Sequence, residues 1–239
     1  VTSNLDSKNY LEALQVKNIK NFGNLKFCVP NETKSLNKPN RDSLNKFKTW
    51  CAASTHKGEE LFCLKTHLEV KKKFQNLLTI IIPRHIHRAE NIKKLSQKFK
   101  LNSQILNEGE QINSNAEVLI INSFGTLQKY FAYCNDVFIG KSMIKKLESV
   151  GGQNPIEAAK QGCRIYHGPF VYNFKEIYYL LKSYDISEQV ENYTGLSKKL
   201  IENLNKEKKT DQKKIEILNI YGQKILENTI QELNNIVKK

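Results

Sequence analysis

A short segment of the chain, from Gly151 to Glu157, combines the residue types that bind anions and sugar hydroxyls at the start of a helix. Asn154 suits the N-cap of a helix and Pro155 its first position, so a helix is predicted to begin there. Gly151 and Gly152 allow backbone amides to approach an anion at that helix N-terminus. Glu157 carries a carboxylate that accepts hydrogen bonds from a vicinal diol such as that of ribose. The spacing leaves a second interpretation open, because Glu157 can also complete a capping box with Asn154.

A second candidate anion site runs from Ser54 to Glu60. Ser54 and Thr55 offer hydroxyl groups, Gly58 precedes a predicted helix, and Lys57 adds a positive charge. The same pattern is also typical of an ordinary helix start, where Ser or Thr caps are followed by acidic residues. The chain contains neither Gly-x-x-x-x-Gly-Lys-Ser/Thr nor Gly-x-Gly-x-x-Gly. The first absence excludes a P-loop, and the second argues against a dinucleotide cofactor.

Three further segments place polar or glycine residues directly after an apolar run. Arg84 follows the most apolar segment and suits a phosphate or carboxylate, although a surface arginine paired with a neighbouring acid is the ordinary alternative. Ser123 and Gly125 offer a hydroxyl group and backbone amides to a ligand. The Gly168-Pro169 pair is more typical of a plain turn.

The histidines and cysteines do not indicate a metal site. His85 and His87 are two residues apart, which places them on opposite faces of an extended chain, and no acidic or cysteine ligand follows at a metal-binding spacing. We therefore expect neither a metal nor a cofactor. The five cysteines form no Cys-x-x-Cys pair, so reduced thiols in the core are predicted for Cys28, Cys51, Cys63, Cys134 and Cys163.

An α/β fold is expected to position these residues, because apolar runs of strand length alternate with segments of helical spacing. That alternation predicts a doubly wound parallel sheet with crossover helices. In such a sheet, ligands bind in the crevice beyond the carboxyl ends of the strands, where the candidate residues lie. The predicted strands are 49–54, 77–83, 117–122, 136–140 and 164–168, and the predicted helices are 59–74, 86–99, 126–134, 155–161 and 174–184.

The two ends of the chain are expected to depart from this alternation. Residues 6–14 are predicted to form a helix, 24–27 a short strand and 30–45 a polar loop. An amphipathic helix is predicted over 213–239. Because the chain starts with Val1 and runs at once into what resembles the middle of a fold, we expect a piece of a longer protein.

Composition excludes some classes of protein. The chain has 239 residues, of which 39% are hydrophobic, so it can bury a core and is not wholly disordered. No apolar run reaches the roughly 20 residues that span a bilayer, which excludes a transmembrane helix within it. The net charge is +14, yet only four of the 38 cations are arginine. A generically basic surface is favoured over a nucleic-acid site, and attraction to anionic membranes or polyanions is expected.

Taken together, these segments resemble the 3-deoxy-D-manno-octulosonic acid (Kdo) transferases of lipid A assembly. The resemblance covers about residues 23–181, and Gly23–Phe27 is similar to the point where that family enters its second domain. The sequence departs from the family pattern at residues 86–89, 122–124, 126, 141, 153 and 170. The motifs that carry the resemblance are Trp50, Ala52–Glu60, Pro83-Arg84-His85, Gly151–Glu157, Gly168-Pro169 and Asn173-Phe174.

This resemblance implies a Rossmann-like doubly wound sheet that forms the carboxyl-terminal, donor-binding half of a GT-B glycosyltransferase. Such an enzyme transfers Kdo from CMP-Kdo to a lipid A precursor in lipopolysaccharide biosynthesis, with inversion and without a required metal. It acts at the cytoplasmic face of the bacterial inner membrane, as a peripheral protein or one anchored through its amino-terminal part. The implied partners are CMP-Kdo, the lipid A precursor and this membrane face, but no nucleic acid.

The resemblance also implies roles for individual residues. Ser54, Thr55 and Gly58 would face the phosphate and sugar, and Arg84 the nucleotide. The general base and the acceptor site belong to the absent amino-terminal domain, so this chain is expected to be inactive alone. Amides around Gly125 would face the phosphate, Asn154 and Glu157 the phosphate and ribose, and the donor-binding set is completed by Ser123, Gly151 and Gly152.

The resemblance divides the chain into three parts. Residues 1–22 would lead in from the preceding domain, 23–184 would form the donor-binding domain, and 185–239 would add carboxyl-terminal helices to that domain. Two alternatives remain open from the residues themselves. One is a different GT-B-type sugar-nucleotide transferase or epimerase, and the other is a basic RNA- or membrane-binding module.

Overall fold

A computed structural model describes residues 1–30, 35–206 and 211–237 of the chain. Two compact units are formed, one by Val1–Asn31 with Asp211–Lys239 and the other by Glu32–Thr210. The predicted entry segment 1–22 and the predicted donor-binding domain 23–184 with its helices over 185–239 stay predictions.

The larger unit contains a seven-stranded sheet whose strand pairs are all parallel. Its strands are β1 (Lys48–Thr55), β2 (Leu77–Pro83), β3 (Ser103–Leu106), β4 (Val118–Ile121), β5 (Asp136–Ile139), β6 (Arg164–His167) and β7 (Ser187–Gln189). They lie in the order β3-β4-β2-β1-β5-β6-β7. Because β1 pairs with β2 on one side and with β5 on the other, the direction of winding reverses at the β1–β5 pair. The predicted doubly wound parallel sheet is confirmed.

Helices connect the strands and include all five that the sequence predicts between them. The larger unit contains α2 to α8. Because α8 packs on α3, residues that follow position 184 also belong to this unit. The helices are α1 (Leu5–Ala13), α2 (Lys38–Leu44), α3 (Glu59–Lys71), α4 (Ala89–Lys98), α5 (Leu127–Phe131), α6 (Ile156–Lys160), α7 (Lys175–Ser183), α8 (Tyr193–Asn203) and α9 (Gln212–Val237).

Three elements of the larger unit differ from the sequence predictions. The edge strands β3 and β7 were not predicted, because they are short and carry mostly polar residues. Helix α2 lies where a polar loop was predicted, so that prediction is wrong for 38–44; residues 31–34 lie outside the described part. Asn37 caps α2 by accepting from the amide of Asn40 at 3.0 Å, and Pro39 lies in its first turn. A helix start rich in Asn and Pro has the composition of a loop.

The core lies on both faces of the sheet. Every residue of β2 is buried, as expected for a central parallel strand. Trp50, Phe138 and Tyr166 are fully or almost fully buried and belong to one cluster with apolar residues of α3, α4 and α8. The cysteines are reduced, and four of the five are buried, whereas Cys28 is partly buried. Burial raises the pKa of the Cys51 and Cys63 thiols.

The smaller unit contains α1, a 3₁₀ turn at Leu25–Cys28 and α9. The strand predicted around residues 24–27 is wrong, because the Asn24 side chain accepts from the amide of Lys26 and starts this turn. Phe27 packs edge-to-face on Tyr221 of α9, with ring centroids 5.1 Å apart. A Cβ on Gly222 would lie 2.4 Å from the Phe27 carbonyl oxygen, so glycine permits the close approach. No helix within the described ranges is long and apolar enough to cross a membrane.

Candidate functional site

The carboxyl ends of β1, β2, β4 and β5 carry all ten predicted donor-binding residues. Because all pairs in the sheet are parallel, these ends lie on one edge. Ser54 and Thr55 end β1, and Gly58 follows in the next loop, while Arg84 comes directly after β2. Ser123 and Gly125 lie in the loop after β4, Gly151, Gly152 and Asn154 lie in the segment after β5, and Glu157 lies in the first turn of α6.

The end of β1 is irregular in its pairing with β2. The register with β2 shifts between Ala53 and Thr55, and Ser54 at the shift adopts a φ of +56°. Ser54 is partly exposed, and Gly58 is exposed immediately before α3. Thr55 is fully buried, and its hydroxyl has no hydrogen-bond partner among the described residues. A ligand in the crevice therefore meets Ser54 and Gly58, whereas Thr55 lies beneath them.

Arg84 is a cation that the geometry leaves available to a ligand. Its backbone amide donates to the Thr55 carbonyl at 3.0 Å, which fixes the start of the loop after β2. Its side chain is exposed and forms no ion pair with any carboxylate in the described part of the chain. The structure therefore does not support the alternative interpretation, in which Arg84 is a surface arginine paired with a neighbouring acid.

Three histidine rings come together where the loops after β1 and β2 meet. The rings of His56 and His85 lie 5.7 Å apart, and those of His85 and His87 also lie 5.7 Å apart. The prediction that His85 and His87 occupy opposite faces of an extended chain is wrong, because a 3₁₀ turn begins at Ile86. The described residues contain no group of three or more His, Cys, Asp or Glu arranged to hold a metal ion.

The local electrostatics at this point are positive. Burial lowers the pKa of the His56 imidazole, and the nearby charges of Lys141, His85 and Arg88 lower it further. The hydrogen bond from its Nδ1 to the Ser54 carbonyl, at 3.1 Å, acts in the opposite direction. The positive charges that disfavour protonation of His56 also attract an anion.

A basic groove borders the histidine rings. Its volume is about 720 Å³, and its cationic lining comprises Lys57, Arg88, Lys94 and Lys98 together with His87. Arg88 is balanced by the buried Glu60 through two hydrogen bonds of 2.6 and 2.9 Å. The lysines form no ion pair within the described residues.

The loop after β4 offers free backbone amides. Phe124 is 72% exposed, and the exposed Gly125 has a φ of +68°, which favours glycine. The amides of both residues have no acceptor in the described part of the chain. The Ser123 hydroxyl lies 3.2 Å from that of Thr126, so it is not fully free for a ligand.

The paired glycines after β5 pack closely against the backbone of residues 170 and 171. The Gly152 amide donates to the Lys141 carbonyl at 2.6 Å and is not available to a ligand. A Cβ on Gly151 would lie 2.4 Å from the Phe170 carbonyl oxygen. Gly152 has a φ of +90° and would place a Cβ 3.1 Å from the Cα of Val171. The amides of Gln153 and Asn154, which follow, have no acceptor among the described residues.

Glu157 does not close a capping box. Helix α6 begins at Ile156, one residue later than predicted, and the Asn154 side chain accepts from the Ile156 amide at 3.1 Å. The Glu157 carboxylate is partly exposed and accepts from the side chain of Gln128 on α5 at 3.4 Å. Of the two interpretations that the spacing left open, this geometry favours a carboxylate available to a ligand.

Two components of this edge were missed by the sequence analysis. The first is Glu59, whose carboxylate accepts four backbone hydrogen bonds from two loops. The second is the segment from Lys141 to Met143, which supplies three of those donors. A buried acid at a helix start was the available signal, but three of its four hydrogen-bond partners lie more than 80 positions away in the sequence.

Comparison with known proteins adds an independent line of information. No family model matches the chain. A 3-deoxy-D-manno-octulosonic acid transferase of Haemophilus influenzae is 33% identical over 132 residues, which are 55% of this chain and 30% of that protein. A 3-deoxy-D-manno-octulosonic acid transferase of Aquifex aeolicus is 28% identical over 178 residues, or 74% of this chain and 48% of that protein. The chain thus spans less than half the length of these curated relatives.

A solved structure shares the fold. The C-terminal CMP-Kdo binding domain of WaaA from Acinetobacter baumannii superposes with a TM-score of 0.65 and 21% identity, covering 79% of this chain and 94% of that domain. This agreement is consistent with the doubly wound sheet described above. The predicted recognition is therefore confirmed: the chain is similar in sequence to the Kdo transferases and has the Rossmann-like fold of their C-terminal domain.

Proposed function

We propose that this chain is the donor-binding domain of a GT-B glycosyltransferase and binds CMP-Kdo. The observation that carries the proposal is a set of groups at the carboxyl ends of the strands: the Glu157 carboxylate, the exposed Arg84 and several backbone amides. Within the described residues, Arg84 has no ion pair and these amides have no acceptor. The similarity to the Kdo transferases supports the identity of the ligand. The four strands that carry these groups include the β1–β5 switch point, where doubly wound sheets bind nucleotides.

The charges of this edge suit the donor. CMP-Kdo carries one phosphodiester and one sugar carboxylate, so it needs cations and amide donors at two places. Arg84 and Lys57 provide positive charge, and the amides of Phe124 and Gly125 provide donors. These groups stabilise the leaving phosphate as negative charge develops on it. The proposed transfer proceeds with inversion and without a required metal.

Glu157 is the proposed ribose ligand. Its carboxylate accepts hydrogen bonds from both hydroxyls of a vicinal diol, and the neighbouring Gln128 orients it at 3.4 Å. The free amides of Gln153 and Asn154 lie just before it and would face the phosphate. Ser54 and Gly58 would contact the sugar from the opposite loop.

The rest of the reaction is assigned to parts of the protein beyond this chain. Transfer to the hydroxyl of a lipid A precursor needs a general base, and we assign that base and the acceptor site to an amino-terminal domain. The complete enzyme would act in lipopolysaccharide biosynthesis at the cytoplasmic face of the inner membrane. The chain alone would bind the nucleotide without transferring Kdo, and Kdo-lipid product formed by it alone in a mass assay would contradict this assignment.

Calorimetric titration with CMP and with UMP tests the binding proposal. We expect CMP to bind and Glu157→Ala to weaken it roughly tenfold or more, because a hydrogen bond to a charged group contributes about 1.5–3 kcal/mol. Glu148→Ala is the matched control, since Glu148 is an exposed carboxylate after β5 that lines a different cavity. Preference for UMP would indicate another sugar nucleotide, and binding unaffected by Glu157→Ala would place the ribose elsewhere.

A further inference from the structure

One buried carboxylate joins two loops at the switch point of the sheet. Glu59 is only 1% exposed and forms no ion pair with any cation in the described ranges. Its Oε2 accepts from the amides of His56 at 2.9 Å and Lys141 at 2.7 Å. Its Oε1 accepts from the amides of Ser142 at 2.8 Å and Met143 at 3.0 Å. The loop after β1 and the loop after β5 are thus held by a single side chain.

The two loops approach so closely that little else fits between them. A Cβ on Gly140 would lie 2.6 Å from the Ser54 carbonyl oxygen and 2.8 Å from Oε2 of Glu59. Lys141 adopts a φ of +58°, which is unfavourable for a residue with a side chain. The hydrogen bond from the Lys141 amide to Glu59 holds the backbone in this conformation.

The segment held by Glu59 positions two further parts of the site in turn. The Lys141 carbonyl accepts from the Gly152 amide at 2.6 Å, which fixes the start of the segment leading to Glu157. The Ser142 hydroxyl accepts from the Gly168 amide at 2.9 Å, and the Ser142 carbonyl accepts from the Phe170 amide at 2.9 Å. A Cβ on Gly168 would lie 2.2 Å from that Ser142 carbonyl oxygen. The loops after β1, β5 and β6 therefore form one hydrogen-bonded assembly around a single carboxylate.

We propose that Glu59 is the positioning residue of the nucleotide site, which it organises without touching the ligand. This inference rests on the proposed function, because it states how the site that binds CMP-Kdo is held open in its binding geometry. Four backbone donors converge on a buried carboxylate only when two loops adopt one relative arrangement. That arrangement fixes the distance between Ser54 on one loop and the residues after Gly152 on the other. Glu59 thus sets the spacing between the groups that face the sugar and those that face the ribose.

Glu59→Gln tests the inference with little change of shape. The amide side chain retains one acceptor oxygen and places an NH₂ group against amides that need an acceptor. We expect the ¹⁵N-labelled variant, without ligand, to shift the amide resonances of Lys141, Ser142, Met143 and Gly152. We also expect its affinity for CMP to fall at least tenfold at a temperature where it is fully folded.

Asp136→Asn is the matched control. Asp136 is also fully buried, but it lies at the amino end of β5, away from the carboxyl ends that carry the site. Its carboxylate binds Arg164 and Tyr166 rather than loop amides. We expect this variant to lose stability, to leave the Gly152 resonance in place and to bind CMP within twofold of the parent. An equal loss of CMP affinity in both variants would mean that general destabilisation explains the effect, and it would overturn the inference.

The outcomes separate this inference from the proposed function. If the parent chain does not bind CMP, the proposed function fails, whereas the Gly152 resonance still reports whether Glu59 organises the loops. If Glu59→Gln leaves that resonance and the CMP affinity unchanged, the inference is wrong. Should this variant not fold, Glu59→Asp keeps the charge but shortens the reach, and unchanged resonances and affinity in that variant would equally overturn the inference.

Discussion

Lowering the pH from 7 to 5 is expected to destabilise the protein through one buried histidine, His67. Its side chain on α3 is fully buried, and its Nδ1 lies 2.8 Å from the hydroxyl of Thr79 on β2. Its Nε2 has no partner among the described residues, so no acceptor stabilises a second proton. Burial lowers the pKa of this imidazole from 6.5 to about 4, and the charge of Lys71 acts in the same direction.

The sign and size of the effect follow from this pKa. Between pH 6.5 and about 4, the unfolded chain binds a proton at His67 that the folded chain does not. The free energy of unfolding therefore rises with pH across that window, and it falls as the pH is lowered. Integration from pH 7 to pH 5 gives a loss of about 2 kcal/mol from this residue.

Urea unfolding followed by circular dichroism measures this loss. The parent chain and His67→Asn are compared at pH 7 and pH 5, since Asn retains a hydrogen-bonding group near the position of Nδ1 and does not titrate. His56 and His167, whose pKa values burial also lowers, are present in both proteins and cancel in the comparison. The parent is expected to lose about 2 kcal/mol more than the variant. Equal losses would refute the argument that His67 is buried in its neutral form.

Three further substitutions test the roles assigned to individual residues. Asp136→Asn weakens the ion pair between the buried Asp136 and the partly exposed Arg164, whose two hydrogen bonds are both 2.8 Å. It should lower the free energy of unfolding by about 1.5–3 kcal/mol in urea. Gly151→Ala forces a Cβ against the Phe170 carbonyl oxygen and should cost about 1–3 kcal/mol of stability in the same assay. Arg84→Ala should change stability by less than about 0.5 kcal/mol, because the side chain is exposed, yet weaken CMP binding roughly tenfold in calorimetry.

Each of these three substitutions has a control variant or a result that would contradict the expected effect. A loss under about 1 kcal/mol for Asp136→Asn would mean that the pair behaves like a surface salt bridge. Gly195→Ala is the control for Gly151→Ala, because its nearest contact would be an ordinary 3.5 Å. Equal effects of the two substitutions would contradict the packing argument. CMP binding unchanged in Arg84→Ala would remove this residue from the nucleotide site.

The sequence predicted the central strands well because their pattern is local and strong. β2 is buried along its whole length and reads as a continuous apolar run, which is typical of a strand covered by helices on both faces. β3 and β7 escaped prediction because edge strands are short and only partly buried. Helix α2 was missed for another local reason, since the Asn and Pro that start it also make loops.

The site was predictable at the level of segments but not of contacts. The doubly wound pattern correctly gathers the loops after β1, β2, β4 and β5 on one edge. The spacing around Gly151 and Gly152 left anion binding and a capping box open, and it gave no sign that these glycines pack against residues 170 and 171. Glu59 escaped notice because its role depends on amides that the fold brings in from residues 141–143. Long-range backbone contacts of this kind leave no periodic signal in a sequence.

A crystal structure of the chain with CMP would show directly whether the nucleotide binds at the carboxyl ends of the strands. We expect the ribose hydroxyls within hydrogen-bonding distance of the Glu157 carboxylate, and the phosphate near Arg84 and the amides of Phe124 and Gly125. A nucleotide bound instead in the cavity of about 260 Å³ lined by His167 and Tyr179, away from Glu157, would contradict this expectation.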